Sequence, residues 1–286
     1  MRLHDLLDRL ERSEALDRVA APVARAVRPA LEPTPVRKAL SGTWLGHRLH
    51  PLLTDGVIAA WVAAGVLDLI SEETSDEETR TLVGLGIVLS LPTAASGLSD
   101  WLDYGPKVRR AGVAHAAANT VALSLQIASY SARRRGHRTR GRRLSSLALA
   151  ALGAGGYLGG HLSYVLGAGV DRTAFDAAPK EWTPALALAE LDEGAHRAVT
   201  VDGVDVLLAR RGEGVLALAD SCNHAGCSLA GGEVTADDVR CPCHGSAFRL
   251  VDGKVLRGPA ASPQPAYAAR VRDGMIEVRE SWTAPE

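Results

Sequence analysis

Apolar and polar positions change rhythm twice along this chain. Between His50 and Val170, four stretches (51–70, 82–97, 111–131 and 144–170) are long, apolar and nearly free of Lys and Arg. Each approaches the roughly 20 residues that a helix needs to cross a bilayer. Sharply polar hairpins separate them: SEETSDEETR at 71–80, the stretch 99–110, and RRRGHRTRGRR at 133–143. A soluble bundle would carry a polar stripe along each helix, so four membrane helices are expected. Ahead of them, Leu3, Leu6, Leu7, Leu10 and Leu16 recur at helical spacing. This predicts an amphipathic helix on the membrane surface or on the C-terminal domain, with a solvated tail as the alternative. After residue 181, short β-type runs at 204–209, 215–219, 267–271 and 275–278 alternate with turn signals. Those signals are Asp202-Gly203, Glu213-Gly214, Asp252-Gly253 and Asp273-Gly274, pairs that close tight hairpins. A small antiparallel sandwich or barrel follows from them.

The expected fold class is therefore multidomain, an N-terminal four-helix transmembrane bundle followed by an all-β domain. Its parts are an N-terminal segment over 1–45, helices over 46–170, a linker over 171–180 and the β domain over 181–280. Composition hides this division: 47% hydrophobic residues, 23% charged and a net charge of −1 average two unlike halves. Gly153, Gly155, Gly156, Gly159 and Gly160 suit close helix packing in lipid. That string follows no strand and carries no Lys, so it is not read as a phosphate loop. The linker could reach roughly 35 Å if extended, which would let the β domain move. Seven arginines between 133 and 143 place that hairpin in the cytoplasm and the β domain outside, although the N-terminal segment is basic too. Between two spans, such a hairpin meets anionic lipid rather than nucleic acid.

The chain has four cysteines, and all lie within one short C-terminal region. Cys222-Asn223-His224 and Cys241-Pro242-Cys243-His244 read C-x-H and C-x-x-H. One Cys and one His in each of two loops is what a Rieske [2Fe–2S] cluster needs, with Cys222 and Cys241 on one iron and His224 and His244 on the other. Zinc sites usually group their ligands as C-x-x-C and then a His pair. The string CNHAGC…CPCHGSAF, within residues 181–280, resembles the high-potential Rieske proteins of quinol–cytochrome oxidoreductases. That resemblance implies a disulfide between Cys227 and Cys243, the alternative being two buried thiols; a stable bridge favours an oxidising compartment. It also implies that Ser246 donates a hydrogen bond to a cluster sulfur and that Gly258-Pro259-Ala260 forms a covering proline loop. Phe248 stands where those proteins carry a tyrosine. Without that hydroxyl the potential should fall below the top of the Rieske range.

In the helical part, His47 and His50 open the first span, His115 lies inside the third and His161 toward the end of the fourth. Chain direction puts all four near the leaflet facing the β domain. Ionisable groups at such depth are candidates for function: axial ligands of a b-type haem, or hydrogen-bond donors to a quinone. Interfacial histidines bonded to water or headgroups are the plainer reading. The opening GHRLHPLLTD resembles an uncharacterised four-helix bacterial membrane family with a Gly-His-x-x-His-Pro start. It departs from that pattern at Gly56-Val57, where a proline commonly follows the aspartate.

The sequence thus predicts a membrane-anchored one-electron carrier between a membrane donor, quinol or a helix-bound haem, and a redox partner protein. An electron-transfer component of a multicomponent Rieske oxygenase, or a membrane redox sensor, is the alternative. A two-His, one-carboxylate iron site, as oxygenase catalytic domains carry, is not recognisable, and no residue is assigned a catalytic role.

Overall fold

The computed structural model describes residues 3–31, 34–70 and 76–281. The first half of the expected acidic hairpin, 71–75, lies outside the described residues, as do parts of the expected N-terminal segment. The chain forms two compact units: Arg48–Gly169 with the chain up to Leu31, and Thr34–His47 with the chain from Val170 onward. The N-terminal segment is thus shared between two units instead of standing alone.

The first unit is helical. Seven helices occur among the described residues: α1 (Leu3–Arg12), α2 (Asp17–Leu31), α3 (Thr34–Ser41), α4 (Leu49–Ile70), α5 (Asp76–Trp101), α6 (Pro106–Arg134) and α7 (Arg138–Gly160). All but α3 belong to this unit. α4 and α5 are long and apolar enough to cross a membrane. α6 and α7 reach well into the expected polar hairpins. Arginine is a good helix former, so α7 begins inside the basic stretch and only residues 135–137 turn. Gly136, at φ +78, ends α6 by returning its N–H to Arg133 O at 2.9 Å, a left-handed helix stop.

Small residues let these helices meet. Ala64, Val83, Ala122 and Ala148 are fully buried. A Cβ on Gly86 would lie 2.1 Å from Nε1 of Trp61, whose indole N–H donates to Val83 O at 3.2 Å. Arg133, completely enclosed, donates to Asp68 at 2.5 Å and Asp76 at 2.9 Å. The amphipathic segment packs on this helical unit. Ala20 and Ala24 of α2 share an apolar cluster with Trp101 and Leu102, and Arg110 holds Asp17 through two bonds of 2.9 and 2.6 Å.

The second unit is β. Its six-stranded sheet runs β1-β10-β9-β4-β3-β2. These are β1 (Thr183–Ala187), β2 (His196–Val201), β3 (Val204–Arg211), β4 (Gly214–Ala219), β9 (Ala266–Arg272) and β10 (Met275–Glu280). Asp202-Gly203 (φ +50, +83) and Asp273-Gly274 (φ +51, +75) close hairpins with both central residues left-handed, the turn whose twist suits paired strands. A four-stranded sheet, β5-β6-β7-β8, comprises β5 (Glu233–Val234), β6 (Asp238–Arg240), β7 (Ala247–Arg249) and β8 (Val255–Arg257). Val206 and Leu208 of β3 enter one apolar cluster and Leu207 and Ala209 the other, so this strand separates two cores.

The linker does not hang free. Arg172 N–H donates to Asn223 O at 2.9 Å, Asp171 accepts from Ser262 Oγ at 2.7 Å, and Pro179 O accepts from Glu280 N–H at 2.6 Å. These bonds tie the linker to the loops and last strand of the β unit.

Candidate metal centre

Two loops of matching construction project from the β unit. In the first, Cys222 N–H donates to Cys227 O at 2.8 Å and Gly226 N–H returns to Cys222 O at 2.7 Å. In the second, Cys241 N–H donates to Ser246 O at 2.8 Å and Gly245 N–H returns to Cys241 O at 3.0 Å. Each loop thus has a Cys at its start and a glycine four residues on. Gly226 (φ +78) and Gly245 (φ +73) take the left-handed backbone that reverses the chain, which a side chain would strain. The Cys227–Cys243 disulfide joins the loops, as the resemblance implied.

Between them lie the four candidate ligands. Cys222 and Cys241 are buried thiols, hydrogen-bonded to each other. The pair shares its charge unequally. The bond from Cys222, with help from the Cys243 and His244 N–H groups, holds Cys241 down at about 6, and the same bond, reinforced by burial, pushes Cys222 far up. The pair thus favours thiolate at Cys241, and thiolate is the form that binds metal. The His224 and His244 rings lie 4.9 Å apart, centre to centre, at 82°. A metal–imidazole bond of about 2.05 Å plus about 1.1 Å of ring puts two imidazoles about 5 Å apart on one tetrahedral metal. Two thiols and two imidazoles spaced this way fit a Rieske cluster. His224 is buried and His244 only half-buried, so His244 forms the more accessible edge.

Supporting groups hold these loops. Ser246 Oγ accepts the Ala260 N–H at 3.0 Å and keeps its own proton for another acceptor. Ala260 O accepts from Thr43 Oγ1 at 3.2 Å, which pins the proline loop from a second side. Pro259 is buried, and Phe248 is fully enclosed in the apolar cluster that includes Cys222 and Cys241. Sequence reasoning missed Gln264. Its Oε1 accepts the Asn223 N–H at 3.0 Å, and its Nε2 donates to Ala219 O and Ser221 O at 2.9 and 2.7 Å. It missed Asn223 as well, whose amide donates to Ser262 O and Pro263 O at 2.8 and 3.0 Å. Only the position of Asn223 inside the C-x-H motif could have flagged it.

The four membrane histidines do not form one group. His47 is exposed and belongs to the β unit. His161 bonds Glu11 of α1 at 2.8 Å. His50 and His115 face each other, with ring centres 6.4 Å apart.

Residues 181–268 match the model of the Rieske [2Fe-2S] domain family. This is a Rieske domain. A Rieske domain transfers electrons, and here it forms the C-terminal part of the chain. Residues 46–172 match a family described as predicted membrane protein DUF2231, so the Rieske domain follows an uncharacterised membrane-associated region. The anthranilate 1,2-dioxygenase ferredoxin subunit of Burkholderia cepacia is 29% identical over 103 residues, 36% of this chain and 95% of its own length. The cytochrome bc1 complex Rieske iron–sulfur subunit of Streptomyces lividans is 36% identical over 75 residues, 26% of this chain and 44% of its own. Cholesterol 7-desaturase nvd of Xenopus laevis is 38% identical over 123 residues, 38% of this chain; the match spans only 27% of that relative's length. All three likenesses are thus confined to about a third of this chain.

Proposed function

We propose that the chain is a membrane-anchored Rieske ferredoxin that passes single electrons to an oxygenase-type acceptor. Cys222 and Cys241 would hold one iron of the cluster, and His224 and His244 the other. When bound, that cluster takes up and releases one electron at a time. The observation that carries this reading is the pair of thiols and the pair of imidazoles brought together by two disulfide-joined loops. Half-buried His244 offers the acceptor an edge, while Ser246 and enclosed Phe248 exclude water behind it. The sequence reading places a carrier served by a membrane donor first and an oxygenase component second. Likeness to a dioxygenase ferredoxin over nearly all of that protein's length supports the opposite order.

A second reading has its own support. The disulfide and the likeness to a bc1 Rieske subunit favour oxidation of quinol by a high-potential cluster. A redox titration of the full chain separates the two. Rieske potentials run from about −150 to +300 mV: a value near the lower end supports the ferredoxin, and one near the upper end supports quinol oxidation and overturns it.

In this proposal α4–α7 form the four-helix membrane bundle, and the electron donor, quinol or a helix-bound haem, is met there. The basic turn between α6 and α7 supports a cytoplasmic position for that hairpin and an extracytoplasmic Rieske domain. Alkaline phosphatase fused after residue 281 should then be active, and an inactive fusion alongside a fluorescent GFP fusion would reverse the orientation.

A further inference from the structure

The helical unit contains a second arrangement of imidazoles with a different geometry. His50, on the first turn of α4, and His115, within α6, have ring centres 6.4 Å apart and ring planes 77° apart. Two imidazoles trans to each other on one metal are separated by twice a bond of about 2.05 Å plus twice about 1.1 Å of ring, or about 6.3 Å. At a tetrahedral angle the same rings would stand about 5 Å apart, which is the spacing of His224 and His244. One chain thus holds one histidine pair at tetrahedral spacing and another at trans spacing.

Hydrogen bonds set which nitrogen is left with a lone pair. His50 Nδ1 lies 2.9 Å from Thr93 O, and His115 Nδ1 lies 2.8 Å from Gly155 O. A carbonyl can only accept, so both Nδ1 atoms carry the proton and both Nε2 atoms keep a lone pair. A histidine ligand is normally prepared in this way, by a backbone acceptor on its other nitrogen. Asn119 Nδ2 lies 3.4 Å from Nδ1 and 3.2 Å from Nε2 of His115 and donates to the His115 carbonyl at 2.9 Å. Glycine backbone supports both rings. A Cβ on Gly97 would approach His50 Cε1 to 2.7 Å, and one on Gly159 would approach His115 Cε1 to 3.2 Å.

The donor count narrows the ligand. Among the described residues, no third His, Cys or carboxylate joins this pair in a metal-binding group. A bare zinc or copper ion usually takes three or four protein ligands. A metal content with two trans imidazoles has its equatorial positions already filled, as in an iron tetrapyrrole. We infer that His50 and His115 are the two axial ligands of one b-type haem in the helical unit. This deepens the electron-transfer proposal and rests on it for the use of the site. Ferric iron there would gain one electron and ferrous iron lose one, matching the single electron carried by the Rieske domain.

The test is a haemin titration of the full-length protein in detergent, followed by reduced-minus-oxidised visible spectra. One haem per chain with the sharp bands of six-coordinate low-spin iron is expected. His50→Ala and His115→Ala should each lose the low-spin bands and weaken haemin binding at least tenfold, while His161→Gln keeps both. Because an alanine variant could fail to fold, His115→Gly is titrated with free imidazole, which should restore the low-spin spectrum. Haemin that does not bind, or binds equally well to both alanine variants, overturns the inference, as does tight zinc binding lost in those variants. The EPR signal of the iron–sulfur cluster, read on the same samples, keeps the proposals apart. A cluster signal without haem leaves the Rieske reading standing, and haem without a cluster signal does the reverse.

Discussion

Gln264 holds the first cluster loop from behind: its Oε1 accepts the backbone N–H of Asn223 at 3.0 Å, between two candidate ligands. Its Nε2 meets the carbonyls of Ala219 and Ser221. In Gln264→Leu these buried backbone groups lose their partner, at a cost of about 1–3 kcal/mol each. We expect a loss of at least about 3 kcal/mol and faster bleaching of the cluster, read by denaturant titration and by absorbance decay. An unchanged midpoint would mean that the strands alone position this loop.

Cys227 and Cys243 are 16 residues apart, and a closed loop of that size contributes about 3 kcal/mol by restricting the unfolded chain. The double substitution Cys227→Ser, Cys243→Ser should lower the melting temperature and shorten cluster lifetime in air. Equal lifetimes would assign the bridge no protective role.

Phe248 is fully enclosed in the cluster containing both free cysteines. Adding a hydroxyl there offers a donor to sulfur, and hydrogen bonds to sulfur favour the reduced, more negative cluster. Phe248→Tyr should raise the midpoint by on the order of a tenth of the ~450 mV Rieske range. A titration with no upward shift would show that the hydroxyl finds another partner.

Arg133 is completely buried and serves two carboxylates, Asp68 and Asp76. Removing it strands them, and breaking such a pair costs about 3–5 kcal/mol. Arg133→Met should therefore melt markedly earlier in detergent, and the double variant Arg133→Met, Asp68→Leu should recover part of the loss. Failure of the double variant to recover would point to Asp76 as the more costly orphan.

Some of this was legible in short sequence windows. The Cys and His spacings in residues 222–227 and 241–246 held the candidate ligands because each loop is a local device, closed by bonds spanning four or five residues. Asp202-Gly203 and Asp273-Gly274 were legible for the same reason: a two-residue turn depends on little beyond its own dihedral angles. Helix ends were less so. Arginines that look like a loop by charge continue α6 and α7, because charge does not stop a helix and only Gly136 does.

By itself the sequence determined where the helical and β materials lie and which four side chains are the candidate cluster ligands, since periodicity and motif spacing are properties of neighbours. Tertiary structure alone decided that Gln264 braces Asn223, that Thr43 reaches Ala260 across 217 residues, and that Glu11 takes His161 across 150. It alone set His50 against His115 at the distance of a trans pair. Such pairings come from helices and strands packing side by side, and residues so far apart in the chain leave no periodic or spacing signal of the contact.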